Sequence, residues 1–230
     1  KKKKEIIISN LNIEDSYTHF IVDTTGVLNL RFIIKALKNK DSADSSKFNL
    51  KINAIDMANS RFQYTRQGRT AVKSGIDPAN MDIRELKFSI GNFDIREDTI
   101  DFYINKMCFI EKSGFAVNKF SARMNLSLTH MDFKLLELET PFSKLSAINL
   151  KFDFFSFEDF SDFVNLVGIR FNFKPSLVSF KDISFFSASL KNYDEEFRFS
   201  GLLSGTISNL KGNDLLLTYK IIPGWRQTLP

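Results

Sequence analysis

A chain of 230 residues with 43% hydrophobic and 26% charged residues is long and apolar enough to bury a core, and it is not a disordered chain. Its 32 basic and 27 acidic residues are interleaved, so the net charge of +5 is not gathered into the basic stripe that a nucleic-acid partner requires. Phe outnumbers the other aromatics, 25 against 5 Tyr and 1 Trp, which excludes a typical sugar-binding surface of polar-tipped rings and points to dry surroundings, either protein core or hydrocarbon.

Ile6 to Ile13 reads as a strand that enters a polar break at Glu14-Asp15-Ser16, followed by a short strand from Tyr17 to Val22. Asp23-Thr24-Thr25-Gly26 is a turn, and Leu28, Phe32, Ile33, Ala36 and Leu37 are spaced for an amphipathic helix over Val27 to Leu37. Phe48 to Ala54 and Ser60 to Thr65 are expected strands, and 67–80, with Gly68, Gly75 and Pro78, a loop. Asn10 to Ser16 and Asn53 to Ser60 echo each other: an alternating strand runs into an acid or amide, then Ser, then another strand.

Alternation is clearest from Met81 to Leu128. Leu86, Phe88 and Ile90 lie on one face, as do Ile100, Phe102 and Ile104, and Phe120, Ala122, Met124, Leu126 and Leu128. Glu111-Lys-Ser-Gly114 is a hairpin loop between the second and third of these strands. Phe133 to Glu139 is a strand that switches face near Leu135-Leu136, a bulge signal, and Leu145 to Phe154 puts Ile148, Leu150, Phe152 and Phe154 on one side. Phe157, Phe160, Phe163 and Val164 recur at helical spacing, with acids suited to a first turn. Ile169, Phe171 and Phe173 form a strand that stops at Pro175. A short helix follows near Val178 to Phe186, then a strand with Phe197, Phe199, Leu203 and Ile207 on the face of Gly201 and Gly205, and a last strand over Leu215 to Ile221. The sum is all-β, with ten or more strands, two or three short helices and no βαβ rhythm.

Chemistry-bearing motifs are scarce. His19 and His130 stand far apart with no metal-ligand spacing, and no nucleotide-binding or nucleophile-elbow motif occurs. Asp94, Glu97, Asp98 and Asp101 read as turn acids, and Glu158, Asp159 and Asp162 as helix-start acids. Cys108 cannot form an internal disulfide and reads as a small buried apolar residue. Lys1 to Lys4 read as a solvated terminus, no run of about 18 apolar residues could span a membrane, and the sequence from Lys1 to Pro230 reads as a piece of a longer protein. These features indicate neither an enzyme nor a cofactor or metal site. What remains is the apolar face, which pattern alone leaves as the core of a β-sandwich or as a wall for hydrocarbon.

Several segments in order resemble the AsmA-like proteins, specifically the TamB (translocation and assembly module) family: Ser46 to Asn53 leading to Asn59 to Tyr64, Gly75 to Pro78 leading into Met81 to Ile90, Phe109 to Phe115 before Asn118 to Ala122, Phe157 to Phe163, and Leu202 to Gly212. The resemblance covers most of residues 1–222 and implies that 1–230 is one interior segment of an elongated, U-shaped open β-sheet, a groove with an apolar interior. The family's membrane anchor and C-terminal domain would lie outside it. It further implies no catalysed reaction. The implied site is periplasmic, tethered to the inner membrane, conducting phospholipids towards the outer membrane with an outer-membrane barrel partner (TamA-like) reached through other parts of the protein. The groove lining is then expected to include Phe88, Ile90, Ile100, Phe102, Ile104, Phe120, Met124, Leu126, Leu128, Leu150, Phe152, Phe154, Phe171, Phe173, Phe197 and Phe199, with the helices at Val27 to Leu37 and Phe157 to Val164 able to cap or plug it. The alternative is an interaction module that receives an extended chain at a sheet edge, as an assembly factor for outer-membrane proteins would.

Overall fold

A computed structural model describes residues 4–29, 48–96 and 99–219. The chain is all-β: among these residues eleven strands form a single sheet that does not close on itself. In chain order they are β1 (Lys4–Glu14), β2 (Tyr17–Val22), β3 (Phe48–Arg66), β4 (Asn80–Arg96), β5 (Thr99–Glu111), β6 (Ala116–Leu126), β7 (His130–Glu139), β8 (Lys144–Asp153), β9 (Gly168–Ser179), β10 (Glu196–Thr206) and β11 (Asn209–Tyr219). Two one-turn helices, α1 (Phe163–Leu166) and α2 (Phe180–Ile183), lie in the β8–β9 and β9–β10 connections.

From β3 to β11 every strand pairs antiparallel with the next, a plain meander. The N-terminal edge is different, because β1 pairs parallel with the first half of β3 and β2 parallel with the second half. The echo in the sequence is therefore a physical stacking. Asn10 to Glu14 lie in register beside Ala54 to Ala58. Both copies end in the same local distortion, Asp15 at φ 51° and Asn59 at φ 49°, with the Ser16 hydroxyl donating to that of Ser60 at 2.8 Å.

Strand alternation sorts the side chains into rows that cross the sheet. One apolar row runs Ile13, Met57, Phe88, Met107, Phe120, Leu138, Leu145. A second runs Phe102, Met124, Phe133, Leu150, Phe171, Leu203. The opposite face carries a polar row through Lys51, Asp94, Asp101, Asn125, Asp132, Lys151, Arg170, Ser204 and Lys211. The sheet thus has one apolar face and one polar face over almost its whole width.

Every antiparallel pairing except β7–β8 contains a register shift. An extra residue on one strand bends it and raises the local twist, so shifts repeated strand after strand curve the sheet into a trough with the apolar rows inside. Glu85, Asn92, Leu135 and Asp214 take positive φ at these places, and Leu135 is the bulge expected from the sequence.

Other expectations change. The segments around Phe48 and Ser60 form one strand, β3, because Asn59 absorbs the irregularity as a bulge. β9 does not stop at Pro175 but runs to Ser179; Pro175 falls inside register shifts against both neighbours, where a missing N–H breaks no regular ladder. The helix expected from Val178 to Phe186 is the single turn α2. Ile207 lies in the β10–β11 turn, and β11 begins at Asn209. Of the helix expected over Val27 to Leu37, residues 30–37 lie outside the described residues; Leu28 before them makes an isolated antiparallel bridge to Val22.

Candidate functional site: an apolar trough

The wall is built from the rows above. Phe88, Ile90, Ile100, Phe102, Ile104, Phe120, Met124, Leu126, Leu150, Phe152, Phe171 and Phe173 each face an apolar partner across a strand pair. Phe197 lies opposite Val178 and Phe199 opposite Leu217. Leu128 is not on the wall. β6 ends at Leu126 because the Ser127 hydroxyl accepts the amides of Thr129 and His130 and turns the chain, leaving Leu128 58% exposed. Phe154 lies just past the end of β8, buried against Phe160.

The spacing of three between Phe133 and Leu136 hides the fact that both point inward across the Leu135 bulge, so the sequence reading left them out. With Ala122 and Ala147 they form the tightest part of the floor, where Leu136 and Ala147 are 3% and 1% exposed. Two small residues at the centre let Phe120, Phe133, Leu150 and Phe171 close in around them. Most of the remaining lining is only half-buried, including Phe88, Phe102, Phe152 and Phe199. In a two-sheet sandwich such residues would be covered by the facing sheet. Here all the described strands belong to one sheet, and among the described residues the lining side chains have mainly each other as neighbours.

Rings touch along the wall. Phe120–Phe133 and Phe133–Phe152 meet edge to face at 6.2 and 6.1 Å between centroids, and Phe173–Phe199 at 4.3 Å. The rings offer area without hydrogen-bonding demands, which suits a surface that must accept an apolar guest of variable position.

Each of the two rims where the strands end carries an insert. At the end holding the β3–β4, β5–β6 and β7–β8 connections, the segment 180–187 crosses as a strap. Its Asp182 carboxylate accepts from Thr140 (2.6 Å) and Ser143, Ser143 in turn accepts the amide of Ser179, and the carbonyl of Phe185 accepts the amide of Ile76. Phe185 and Phe186 pack edge to face on Phe115, beside the expected hairpin turn at Gly114. At the other end the segment 154–167 folds inward, placing Phe163 against Phe152 of the wall at 5.7 Å. The helical spacing around Phe157 is realised there as a 3-10 turn followed by α1.

The polar groups are structural in their geometry. Asp82 is buried and receives two guanidinium nitrogens of Arg61 at 2.8 Å and two of Arg84 at 2.8 and 3.2 Å; the hydrogen bond from Arg61 does most to hold its carboxyl well below the usual carboxylate range. Asp77 is also buried. Burial alone would raise its pKa, but the amides of Val72 and Ala79 and the side chain of Asn80 outweigh that and lower it. Asp94 and Asp101 of the expected acidic cluster face each other across β4 and β5, one bound to Arg96 and the other to Asn125; Glu97 and Asp98 lie outside the described residues. His19 bonds to Thr65, and His130 to Ser127 and Asn125. Ser127 also accepts two backbone amides, so its hydroxyl serves the turn. Among the described residues no group of three potential ligands could hold a metal. A concavity of about 500 Å³ over β1, β3, β4 and β5 is rimmed by interleaved charges, including Glu14, Asp56, Lys87 and Lys106, with Cys108 at its side. No helix of the described residues is long and apolar enough to cross a membrane.

Comparison of the chain with family models, curated proteins and solved structures found no match.

Proposed function

We propose that the chain is a segment of a lipid-conducting trough that carries phospholipid between the two membranes of a cell envelope, with the acyl chains on the apolar rows and the headgroup in water at the open side. The observation that carries this reading is a single curved sheet whose apolar face is continuous over many strands and, outside a buried floor around Leu136 and Ala147, mostly half-buried, with no second sheet over it among the described residues. An acyl chain leaving a bilayer loses about 0.8 kcal/mol for each methylene exposed to water, and a wall of Phe, Leu, Ile and Met replaces that environment without asking for hydrogen bonds. The role needs no catalytic group, and it places the protein in the periplasm, tethered to the inner membrane and working with an outer-membrane barrel partner.

Native mass spectrometry of protein purified from a lipid-containing host tests the reading. The expected result is co-purified phospholipid that is lost in Phe102→Asp, with the β-sheet circular dichroism retained. Protein that carries no lipid, and takes up none from micelles, overturns it.

A specific observation also supports the second reading, a module that binds an extended chain. All eleven residues of the edge strand β11 are exposed, Leu215, Leu216 and Leu217 by 51%, 65% and 66%. Pro at Leu216 would abolish that activity by blocking strand addition and would leave lipid loading in the trough intact.

A further inference from the structure

Both edges of the sheet are bent in the same way. Along β1 and β2, Ile13 faces the trough and Glu14 the outside. Asp15, at φ 51°, takes up the next place, so Ser16 and Thr18 face the trough and Tyr17 the outside. Along β11, Gly212 faces the trough, opposite Leu203, and Asn213 the outside. Asp214, at φ 49°, takes up the next place, so Leu215 and Leu217 face the trough and Leu216 the outside. The approach to each bend also agrees: Asn10-Leu11 stands at the same distance before Asp15 as Asn209-Leu210 before Asp214.

The fold already shows what pairs with such an edge. β1 and β2 lie parallel to β3 with bend beside bend. Glu14 is in register with Ala58 and Tyr17 with Arg61, which sets Asp15 beside Asn59 at φ 49°. A bulge interrupts the ladder for a straight strand, whereas a strand bent at the same place keeps its pairing on both sides. The two edges also point the same way. β1 is parallel to β3, and an even number of antiparallel steps leads from β3 to β11. Among the described residues neither β1 nor β11 has a strand on its outer side.

We infer that β11 of one copy receives the β1–β2 edge of a second copy as a parallel partner, Asp214 beside Asp15, so that copies join head to tail. In this register Asn10 to Thr18 lie along Asn209 to Leu217, and the paired residues share a face on both sides of the bend. On the trough side Leu11 meets Leu210, 38% and 45% exposed in the single copy, and on the outside Tyr17 meets Leu216, 58% and 65% exposed. A slip of one residue sets each bend against a regular residue and turns Leu210 and Leu216 towards neighbours of the opposite face. The junction ends near Thr18, because the Asn29 side chain closes the outer side of β2, donating to the carbonyl of His19 and accepting the amide of Ile21. Parallel pairing keeps the apolar faces of both copies on one side and the straps on one rim, so the trough lengthens across the junction. A contact between two different edges does not stop at a dimer unless rotation closes a ring. Its unfavourable pair is Asp15 beside Asp214, two carboxylates where the stacking within the chain has an acid beside Asn59. The junction is independent of what the trough carries.

The test uses the full chain with Cys108, the sole cysteine, changed to Ser. Protein with Asn12→Cys is mixed with protein with Lys211→Cys and oxidised mildly. The mixed disulfide is expected in excess over either homodimer, whereas Asn12→Cys mixed with Asn209→Cys, out of register on the same outer face, yields little. Asp214→Asn restores the acid–amide pair and keeps a residue that tolerates positive φ. It is expected to tighten self-association about threefold in sedimentation velocity, with species beyond a dimer growing as concentration rises. Sedimentation of wild type and Asp214→Asn needs no cysteine and decides the matter should a cysteine variant fail to fold. Protein that stays monomeric, association unmoved or weakened by Asp214→Asn, or equal cross-linking out of register overturns the inference. So does a Lys211→Cys homodimer in place of the mixed product, which would make the contact one of β11 with itself.

Discussion

Asp82 ties three strands at one point: it sits on β4, receives Arg61 from β3, and its own amide donates to Glu111 of β5. Its two arginines are 44% and 58% exposed, so solvent screens part of the attraction, and Asp82→Asn is expected to cost only about 1–2 kcal/mol in urea unfolding at neutral pH. The carboxyl is depressed in the fold relative to about 3.9 in the unfolded chain, so its contribution is present above that value and is lost as pH falls through the folded pKa. The gap between wild type and variant should therefore be constant from about pH 5 upward and shrink below about pH 4; a gap that widens in acid contradicts the assignment. Gly75 is a second sensitive residue. It sits at φ +85°, and a Cβ there would lie 2.3 Å from the carbonyl oxygen of Phe185. Gly75→Ala is expected to push the strap from the 67–79 connection, seen as faster protease cleavage between residues 180 and 187 and a loss of about 1–3 kcal/mol.

Among the elements, the strap can be tested at a single side chain. The Asp182 carboxylate holds one side of the strap, so Asp182→Ala should raise the amide exchange of Ser179, Phe180 and Ile76 while the β6–β8 floor stays protected. Protection lost equally across the sheet would mean that the strap is an integral part of the core. Most of the strands were legible in the sequence because alternation survives in stretches of them, though not in β11, where Leu215, Leu216 and Leu217 are all exposed. The inward face was legible only between bulges. At Asn59 two expected strands are one, and at Leu135 a change of phase conceals Phe133 and Leu136 from a parity argument. Leu128 was misplaced for a local reason, since Ser127 caps a turn where alternation alone continues the strand. The inserts were legible as helical spacing and acids, but their positions at opposite ends follow from strand order, and strand order is not written in any local pattern. The small floor residues Ala122 and Ala147 carry no sequence signal of burial beyond their strand position.

On the scale of the whole molecule, the sheet leaves two edges. β11 has Lys211 and the distortion at Asp214 to discourage pairing, but Leu215 to Leu217 follow unguarded. Leu216→Lys is expected to reduce concentration-dependent self-association in sedimentation velocity without altering the thermal midpoint by more than a few degrees; unchanged association would place the contact elsewhere. The opposite edge has a different history. From β3 onward each strand meets its predecessor through a neighbouring connection, so the meander can zip up pair by pair. β1 and β2 instead reach β3 in parallel, with Ser16 meeting Ser60 across 44 residues of chain. Closing so long a loop is entropically costly before any contact rewards it, and non-local pairing is slow. The N-terminal edge is therefore the last part of the sheet to form, and until it does, the longest of the described strands stands as a bare margin, its Ser60 hydroxyl still waiting for a donor.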